Sequence, residues 1–324
     1  MTIGVIGGGA WGTALAQVMA ETEHVLLWAR EANVVSQINE TRENRDFLPG
    51  VTLNPRIHAT ADLSELAGVG TWLVVAPAQH LRRVLAAAPL GQRPTLVLCA
   101  KGIEAGSHML MAEVVADVAG FDLPVAVLSG PTFAGEVARG LPTAVTLACA
   151  DSALGETLVA RLARPAFRPY FSDDVTGAEI GGAVKNVLAI ACGVVDGAGL
   201  GLNARAALIA RGFAEMRRFG MARGARAETL AGLSGLGDLV LTCSSTNSRN
   251  FSLGVAIGRG ESAATVLAAT RTVAEGAATA PVLVEAARAA GVEMPISEAV
   301  AALIAGAPLA DTVAALLARP LKAE

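Results

Sequence analysis

The chain begins with a short apolar run that leads into a glycine-rich turn: residues 2–12 read Thr-Ile-Gly-Val-Ile-Gly-Gly-Gly-Ala-Trp-Gly. The apolar run predicts a buried strand, and the residues after the turn predict a helix that continues to about residue 20. In the pattern Gly-x-Gly-x-x-Gly, Gly7 permits a tight turn, Gly9 lets a pyrophosphate approach the backbone, and Gly12 allows close helix–strand packing. The N–H groups at the start of such a helix attract phosphate. We therefore expect this segment to bind a dinucleotide, although a tight glycine turn without a ligand has the same pattern.

The first half of the chain continues with apolar runs of strand length that alternate with helical patterns: 24–28, 73–75, 95–99, 125–128, 144–148 and 167–171. This alternation predicts a parallel sheet built from βαβ units and covered on both faces. From about residue 176 the pattern becomes helical throughout: 176–196, 203–220, 225–232, 250–258, 262–269, 279–290, 296–304 and 310–318. The prediction is an α/β protein with an N-terminal Rossmann-like, doubly wound, mostly parallel sheet domain over 1–177 and an all-helical domain over 178–324. We expect the functional site in the cleft between the two domains.

Composition excludes several classes of protein. The 324 residues are 53% hydrophobic and 17% charged, with a net charge of −4, which excludes disorder and argues against a nucleic-acid surface. Two apolar stretches, 1–20 and 186–204, are long enough to cross a membrane. Glycines interrupt the first and Asp196 the second, so we expect buried segments of a cytoplasmic protein. The four cysteines are scattered and the histidines do not cluster with them, so we expect neither disulfides nor a metal.

The end of the second strand bears on the choice of cofactor. NAD-binding proteins usually have an acidic residue there, which hydrogen-bonds the ribose 2′-hydroxyl. Here the chain reads Leu-Trp-Ala-Arg-Glu over 27–31, so Arg30 stands where it could meet a 2′-phosphate. We expect a preference for NADP(H). Glu31 keeps NAD(H) possible, and an ordinary solvated arginine would fit the same pattern.

Lysine is rare in this chain. Of 25 basic side chains 22 are arginines, and the three lysines are Lys101, Lys185 and Lys322. Lys101 follows a predicted strand, and Lys185 lies in a helix that is apolar nearly all round, so that helix should be buried. Lysine can lose its proton when burial lowers its pKa, whereas arginine cannot. We expect Lys185 to serve as a general acid or base or to bind a substrate oxygen; a buried lysine paired with a carboxylate is the structural alternative.

Polar residues gather again near the middle of the helical half. Asp238 lies between glycines and an apolar run, where it could cap a helix or pair with a site lysine. Ser248, Arg249 and Asn250 stand just before a predicted helix, where a hydroxyl, a guanidinium and an amide would converge on a phosphate or carboxylate. A polar loop with an N-cap is the alternative interpretation.

Residue types that the sequence lacks at particular positions exclude some reaction mechanisms. No lysine follows Tyr170 four residues later, which excludes a Tyr-x-x-x-Lys dehydrogenase site. No histidine follows His108, so a base in the second half must be Lys, Asp, Glu or Cys. Hydride transfer to a ketone, with lysine as proton donor, is the most economical hypothesis. Two alternatives stay open: a dehydrogenase of the same plan acting on a 3-hydroxy acid or sugar phosphate, and a regulator that binds NADP(H) without turnover.

Seven ordered motifs resemble NAD(P)-dependent glycerol-3-phosphate dehydrogenase of the bacterial type. They are Val-Ile-Gly-Gly-Gly-Ala-Trp-Gly-Thr-Ala over 5–14, Phe-Leu-Pro-Gly over 47–50, Ala-Lys-Gly-Ile-Glu over 100–104, Leu-Ser-Gly-Pro-Thr-Phe-Ala over 128–134, Gly-Ala-Val-Lys-Asn over 182–186, Gly-Leu-Gly-Asp-Leu over 235–239, and Ser-Arg-Asn over 248–250. The resemblance implies a 6-phosphogluconate-dehydrogenase-like fold. It also implies reversible reduction of dihydroxyacetone phosphate by NAD(P)H to sn-glycerol 3-phosphate, in the cytoplasm, for phospholipid synthesis. A homodimer is possible on a separate ground, since apolar helical domains often pair with themselves.

The same resemblance implies roles for individual residues. Lys185 would exchange the proton at the substrate C2 oxygen, with Lys101 and Asp238 as further catalytic residues. Substrate contacts would come from Lys101, Gly130, Thr132, Lys185, Asp238, Ser248, Arg249 and Asn250. Cofactor contacts would come from Gly7, Gly9, Ala10, Trp11, Gly12, Arg30, Phe47, Lys101, Ala134, Arg249, Val273 and Glu275. Phe47 stands where tyrosine is commoner in the family and Ala10 where serine is commoner, so each lacks a hydroxyl.

Overall fold

The computed structural model describes residues 1–269 and 274–320. The chain forms two compact units, of which the first comprises Met1–Lys101 and Met109–Glu179 and the second comprises Gly102–His108 and Ile180–Glu324. The sequence predicts residues 102–108 in the first domain, whereas the structure groups them with the second unit. One reason is a contact within that unit, where Nε2 of His108 lies 3.0 Å from Oε2 of Glu285.

The first unit is built on an eight-stranded sheet. Its strands are β1 Thr2–Ile6, β2 His24–Trp28, β3 Ile57–Thr60, β4 Thr71–Val74, β5 Thr95–Leu98, β6 Val125–Ser129, β7 Thr143–Ala148 and β8 Phe167–Ser172. Their order is β3-β2-β1-β4-β5-β6-β7-β8, and every neighbouring pair is parallel except β6 and β7. The mostly parallel, doubly wound sheet is therefore confirmed. The strand order reverses between β1 and β4, which is where open α/β sheets bind ligands beyond the carboxyl ends of their strands.

Helices cover both faces of this sheet. They are α1 Ala10–Met19, α2 Ala32–Ser36, α3 Leu81–Ala87, α4 Met111–Ala119, α5 Ala134–Ala138 and α6 Ser152–Leu162, with a π turn at Gln37–Thr41 and 3₁₀ turns at Leu63–Leu66, Ala78–His80 and Leu90–Gln92. Alternate residues of β4 show the two layers. Leu73 joins one core cluster, together with residues of α1 such as Leu15, while Trp72 and Val74 join the other, together with residues of α3 and α4. Strands buried on both faces explain why their sequences read as unbroken apolar runs.

The second unit contains helices and no strand among its described residues. They are α7 Val175–Gly197, which begins in the first unit, then α8 Leu202–Ala222, α9 Ala227–Ala231, α10 Asp238–Thr242, α11 Arg249–Gly258, α12 Ala263–Ala269, α13 Glu275–Ala289, α14 Pro295–Ile304 and α15 Leu309–Leu317, with a π turn at Leu233–Gly237. The predicted all-helical half is confirmed for these residues.

Helix α7 is the longest element of the chain, at 23 residues, and it is the one described helix long and apolar enough to cross a membrane. Its most apolar stretch is entirely buried in the structure, as expected for a core helix. The helix begins after Asp174, whose Oδ1 accepts a hydrogen bond of 2.8 Å from the N–H of Gly177. Its position as a core element explains why Lys185 is almost inaccessible to water.

Candidate active site

The glycine-rich turn has the geometry that its sequence predicts. Gly7 adopts a φ of +128°, in the region that favours glycine. A Cβ on Gly12 would lie 1.9 Å from the carbonyl oxygen of Gly7, so only glycine lets α1 start this close to β1. A Cβ on Gly9 would meet no protein atom within 4 Å. The first and third glycines are thus required by packing, whereas the second leaves open space beside the backbone.

That open space suits a pyrophosphate. Gly9 is the N-cap of α1 and no side chain caps the helix, so its first N–H groups are not satisfied from that side. Anions bind favourably at such an N-terminus, and the position at the carboxyl end of β1 is the one that dinucleotide-binding sheets use. Ala10, the first helical residue, is nearly buried and has no hydroxyl to offer. The residues present therefore fit a dinucleotide.

Three predicted cofactor contacts share one environment in the first unit. Trp11, Phe47 and Ala134 are each partly buried, and each packs against the core cluster that lies on the α1 side of the sheet. Ala134 is the first residue of α5. Three separate segments of the chain thus each place an apolar side chain against this cluster.

Arg30 lies two residues beyond the end of β2, as predicted, and its side chain is 66% exposed. Its Nη2 lies 2.5 Å and its Nε 2.9 Å from Oε1 of Glu31. Exposed ion pairs of this kind contribute little free energy, so the guanidinium can exchange its carboxylate for another anion. Glu31 would therefore compete with a bound anion for Arg30, and its contact does not prevent Arg30 from binding one.

Lys101, Gly130 and Thr132 form a second group in the first unit. The carbonyl oxygen of Gly130 accepts a hydrogen bond of 3.1 Å from Nζ of Lys101 and one of 3.3 Å from the hydroxyl of Thr132. Gly130 has a φ of +157°, and a Cβ there would lie 2.9 Å from the backbone of Val145, so the turn after β6 requires glycine. Three residues predicted to contact substrate are therefore neighbours.

Lys185 and Asp238 form a buried ion pair in the second unit. Nζ of Lys185 lies 2.7 Å from Oδ1 of Asp238 and 2.9 Å from the hydroxyl of Thr242. The Asp238 side chain is 0% exposed and the Lys185 side chain 8%. A buried carboxylate without a counter-ion is strongly unfavourable, so each charge stabilises the other. The predicted contact between Lys185 and Asp238 is present.

Glycines on two elements make this pair possible. A Cβ on Gly181, one helical turn before Lys185, would lie 2.5 Å from the carbonyl oxygen of Ser234. A Cβ on Gly235 would lie 1.9 Å from the carbonyl oxygen of Leu230. The π turn Leu233–Gly237 therefore packs directly on α7, and the helix that follows it begins with Asp238 at the level of the lysine.

Ser248 and Asn250 have structural partners of their own. Ser248 is the N-cap of α11, and its Oγ accepts a hydrogen bond of 3.2 Å from the N–H of Phe251. The Asn250 amide donates to Oδ1 of Asn186 at 3.0 Å and accepts from the N–H of Gly276 at 2.9 Å. Arg249, between them, is exposed. The N-cap of the alternative interpretation is present, and convergence of the three side chains on a phosphate stays a prediction.

Of the last two predicted cofactor contacts, one lies at the start of α13. Glu275 is the first residue of that helix, next to the Gly276 N–H that Asn250 binds. Val273 lies outside the described residues.

Sequence reasoning missed Thr242 and Asn186. Thr242 lies four residues after Asp238, a spacing that places both side chains on one face of a helix and could have indicated it. Asn186 follows Lys185 directly, and its role appears only once α11 is in place, because its amide binds Asn250.

Two buried cysteines, Cys243 and Cys99, are poor candidates for a base. The Cys243 thiol hydrogen-bonds the Cys192 thiol, and this bond together with burial raises the pKa of Cys243 well above its ordinary value. Burial also raises the pKa of Cys99 to about 12. Thiols with such pKa values stay neutral at physiological pH. Of the four residue types left open for a base in the second half, cysteine is therefore excluded at Cys243.

Both halves of the chain match known proteins. The family model of the NAD-dependent glycerol-3-phosphate dehydrogenase N-terminus matches residues 2–155, and that of the C-terminus matches residues 174–314. A glycerol-3-phosphate dehydrogenase [NAD(P)+] of Erythrobacter litoralis is 63% identical over 323 residues, covering 99% of this chain and 97% of the relative. One of Novosphingobium aromaticivorans is 64% identical over 329 residues, covering 99% and 98%.

A solved structure shows the same fold. The crystal structure of glycerol-3-phosphate dehydrogenase from Coxiella burnetii superposes with a TM-score of 0.93 at 39% identity, covering 98% of this chain and 99% of that one. Both family models, the relatives and this structure agree over nearly the whole chain. The chain therefore belongs to the NAD-dependent glycerol-3-phosphate dehydrogenase family.

Proposed function

We propose that Lys185 exchanges the proton at the C2 oxygen when this enzyme reduces dihydroxyacetone phosphate to sn-glycerol 3-phosphate. The chain is an NAD(P)-dependent oxidoreductase of its family. The observation that supports the role of Lys185 is the buried triad of Lys185, Asp238 and Thr242, which has distances of 2.7 and 2.9 Å from the ammonium to its two oxygen partners. A bound dinucleotide supplies the hydride.

In this proposal Lys185 donates a proton to the oxygen that becomes negative as hydride reaches C2, and takes it back in the reverse reaction. Proton donation to a developing alkoxide is effective when the donor is already positioned, and the ammonium stabilises that charge before the transfer is complete. Asp238 and Thr242 orient Lys185. The carboxylate also keeps the ammonium favourable in a place where water cannot solvate it.

The other site residues hold the reactants. We propose that Lys101, Gly130 and Thr132 contact the substrate, and that Ser248, Arg249 and Asn250 bind its phosphate. Since the Asn250 amide holds Asn186 and the N–H of Gly276, its contribution includes fixing the start of α13. Binding energy from the non-reacting phosphate fixes the geometry for hydride transfer. We propose 1–177 as the dinucleotide-binding domain and 178–324 as the substrate-binding domain.

For the cofactor, we propose a preference for NADP(H) over NAD(H) and no metal. The exposed Arg30 guanidinium at the end of β2 supports the first point. Among residues 1–269 and 274–320 no group of three or more His, Cys, Asp or Glu could hold a metal ion. We further propose a cytoplasmic enzyme, without membrane insertion or nucleic-acid partner, that could pair as a homodimer.

The test is the oxidation of NADPH by the purified chain in the presence of dihydroxyacetone phosphate, repeated with NADH. We expect turnover with both cofactors and a lower KM for NADPH. The control is a panel of keto sugar phosphates and of the 3-oxo acids that correspond to 3-hydroxy acids, because only a carbonyl substrate can accept hydride from NADPH. Turnover with a panel member and none with dihydroxyacetone phosphate would overturn the proposed substrate, and chelator treatment that abolishes activity would overturn the metal-free mechanism.

A further inference from the structure

Asn44 is a fully buried polar residue of the first unit that neither the family resemblance nor the mechanism uses. It lies between the π turn Gln37–Thr41 and β3, and its side chain is 0% exposed. Its Nδ2 donates two hydrogen bonds of 2.8 Å, to the carbonyl oxygen of Gly8 and to the hydroxyl of Thr13. Its Oδ1 accepts a hydrogen bond of 3.2 Å from the N–H of Phe47. Both amide protons are therefore satisfied, and all the partners belong to the segments expected to hold the dinucleotide.

The bond to Gly8 fixes the orientation of one peptide plane. The N–H and C=O of a trans peptide point in opposite directions, so holding the carbonyl of Gly8 aims the N–H of Gly9 to the other side. Thr13 reinforces the same carbonyl, because its hydroxyl donates to it at 3.4 Å. The backbone at Gly8 is also closely packed, because a Cβ added there would lie 2.4 Å from Cβ of Ala29. Gly8 therefore has little room to shift toward Ala29.

The other bonds of Asn44 shape the segment that carries Phe47. Besides the bond from Oδ1 to the Phe47 N–H, the backbone carbonyl of Asn44 accepts a hydrogen bond of 2.8 Å from the N–H of Leu48. Phe47 packs on the core cluster that also contacts Trp11, the second residue of α1. One residue thus ties the glycine-rich turn to an aromatic side chain separated from it by about 40 positions in the sequence.

We infer that Asn44 is a positioning residue for the dinucleotide: its side-chain amide orients the Gly8–Gly9 peptide toward the pyrophosphate and sets Phe47 beside it. This inference rests on the proposed function, in which the glycine-rich turn binds NADP(H). It makes Asn44 act on cofactor affinity before any chemistry. A preorganised anion site costs less to occupy than one that must be ordered by its ligand.

The test compares Asn44 with Asn39, a matched asparagine of the same region. Asn39 also makes two hydrogen bonds to backbone, with Nδ2 donating to the carbonyl of Ala59 at 2.8 Å and Oδ1 accepting from its N–H at 2.9 Å. Asn39→Ala should therefore lower the Tm without changing cofactor affinity. Asn44→Ala should lower the Tm and also raise the Kd for NADPH by about tenfold or more, since the peptide plane is no longer held.

Two further measurements separate positioning from general loss of structure. At saturating NADPH, Asn44→Ala should keep a kcat and a substrate KM close to those of the wild type. In the cofactor-free protein, amide hydrogens of residues 8–13 should exchange faster in Asn44→Ala than in Asn39→Ala. Should Asn44→Ala fail to fold, the nearly isosteric Thr13→Val, which removes one partner of the amide, should still raise the Kd for NADPH about threefold.

The outcomes are distinct. A folded Asn44→Ala that binds NADPH as tightly as the wild type would overturn the inference and leave the proposed function intact, as would an equal loss of affinity in Asn39→Ala. If Asn44→Ala does not fold, an unchanged Kd in Thr13→Val would overturn it. A wild-type chain that binds no dinucleotide would overturn the proposed function, and this inference with it.

Discussion

Replacing Lys185 with methionine tests whether the buried ammonium acts in the chemistry or only in folding. Methionine keeps most of the volume of the side chain and removes its charge. A positioned general acid contributes about 10²- to 10⁴-fold to the rate, which corresponds to roughly 3–5 kcal/mol of transition-state stabilisation. We therefore expect kcat for Lys185→Met to fall by at least about two orders of magnitude, while the Kd for NADPH stays near that of the wild type.

The same substitution also has a folding cost that must be separated from the catalytic one. Asp238 is 0% exposed and would lose the Lys185 ammonium as its counter-ion, while the Thr242 hydroxyl stays at 3.2 Å. Removal of one partner of a buried ion pair costs about 3–5 kcal/mol, a large part of a total stability of about 5–15 kcal/mol. The double variant Lys185→Met, Asp238→Asn has no buried charge at this position, so we expect its Tm to lie above that of Lys185→Met.

The pair of variants decides between the two roles. Activity is measured as loss of NADPH absorbance with dihydroxyacetone phosphate, and stability by thermal and urea unfolding. If Lys185 is the proton donor, the double variant regains stability and stays as slow as the single variant. Recovery of kcat together with Tm in the double variant would refute the reasoning, because it would show that Lys185 serves only to neutralise Asp238.

Three further predictions concern other residues. Arg30→Ala should raise the KM for NADPH and leave that for NADH nearly unchanged; steady-state kinetics with both cofactors check this, and equal KM values in the wild type would contradict it. Gly9→Ala should keep a near-native Tm but weaken NADPH binding about tenfold, because its new Cβ meets no protein atom and enters the space left for the ligand. Gly12→Ala should fail to fold stably, because its new Cβ would clash with the carbonyl oxygen of Gly7. Arg161 lies 2.8 Å from Glu23, and its hydrogen bond lowers the pKa of that carboxyl below its ordinary value of 4.5. This hydrogen-bonded ion pair therefore stabilises the folded state above pH 4.5, and the stabilisation is lost as pH falls through the lower folded-state pKa of Glu23. In urea unfolding, Glu23→Gln should lower the free energy of unfolding by about 2 kcal/mol at neutral pH and by progressively less below pH 4.5.

Much of the fold could be predicted from apolar patterns alone. Apolar runs predict strands at 24–28 and 125–128, and the structure has His24–Trp28 and Val125–Ser129. The strand Ile57–Thr60 was missed because its four residues include His58 and lie at the edge of the sheet, where no continuous apolar run is needed. Strands covered on both faces are therefore recognisable from composition, and a short edge strand is not.

The candidate site, like the fold, could be predicted only in part from the sequence. Lys185 could be selected because a charged residue in an apolar helix requires a partner or a function. For Asp238 the sequence left two roles open, a helix cap and a partner of a site lysine. Only the close packing of Gly235 on Leu230 and of Gly181 on Ser234 explains why Asp238 pairs with Lys185. Contacts of this kind depend on tertiary packing, so spacing along the chain does not reveal them.

The contacts of Lys101 and Lys185 give a physical reason for lysine at these two positions. Both described lysines bind oxygen at short range, Lys101 the carbonyl of Gly130 and Lys185 the Asp238 carboxylate and the Thr242 hydroxyl. An ammonium is a compact point charge that can enter such a space, whereas a guanidinium needs a planar, forked set of acceptors and keeps its proton. Arginine can replace lysine wherever positive charge alone is needed. In the proposed mechanism arginine would preserve the charge at Lys185 and lose the proton transfer. The rarity of lysine elsewhere in the chain therefore supports a chemical role for the lysine of this buried triad.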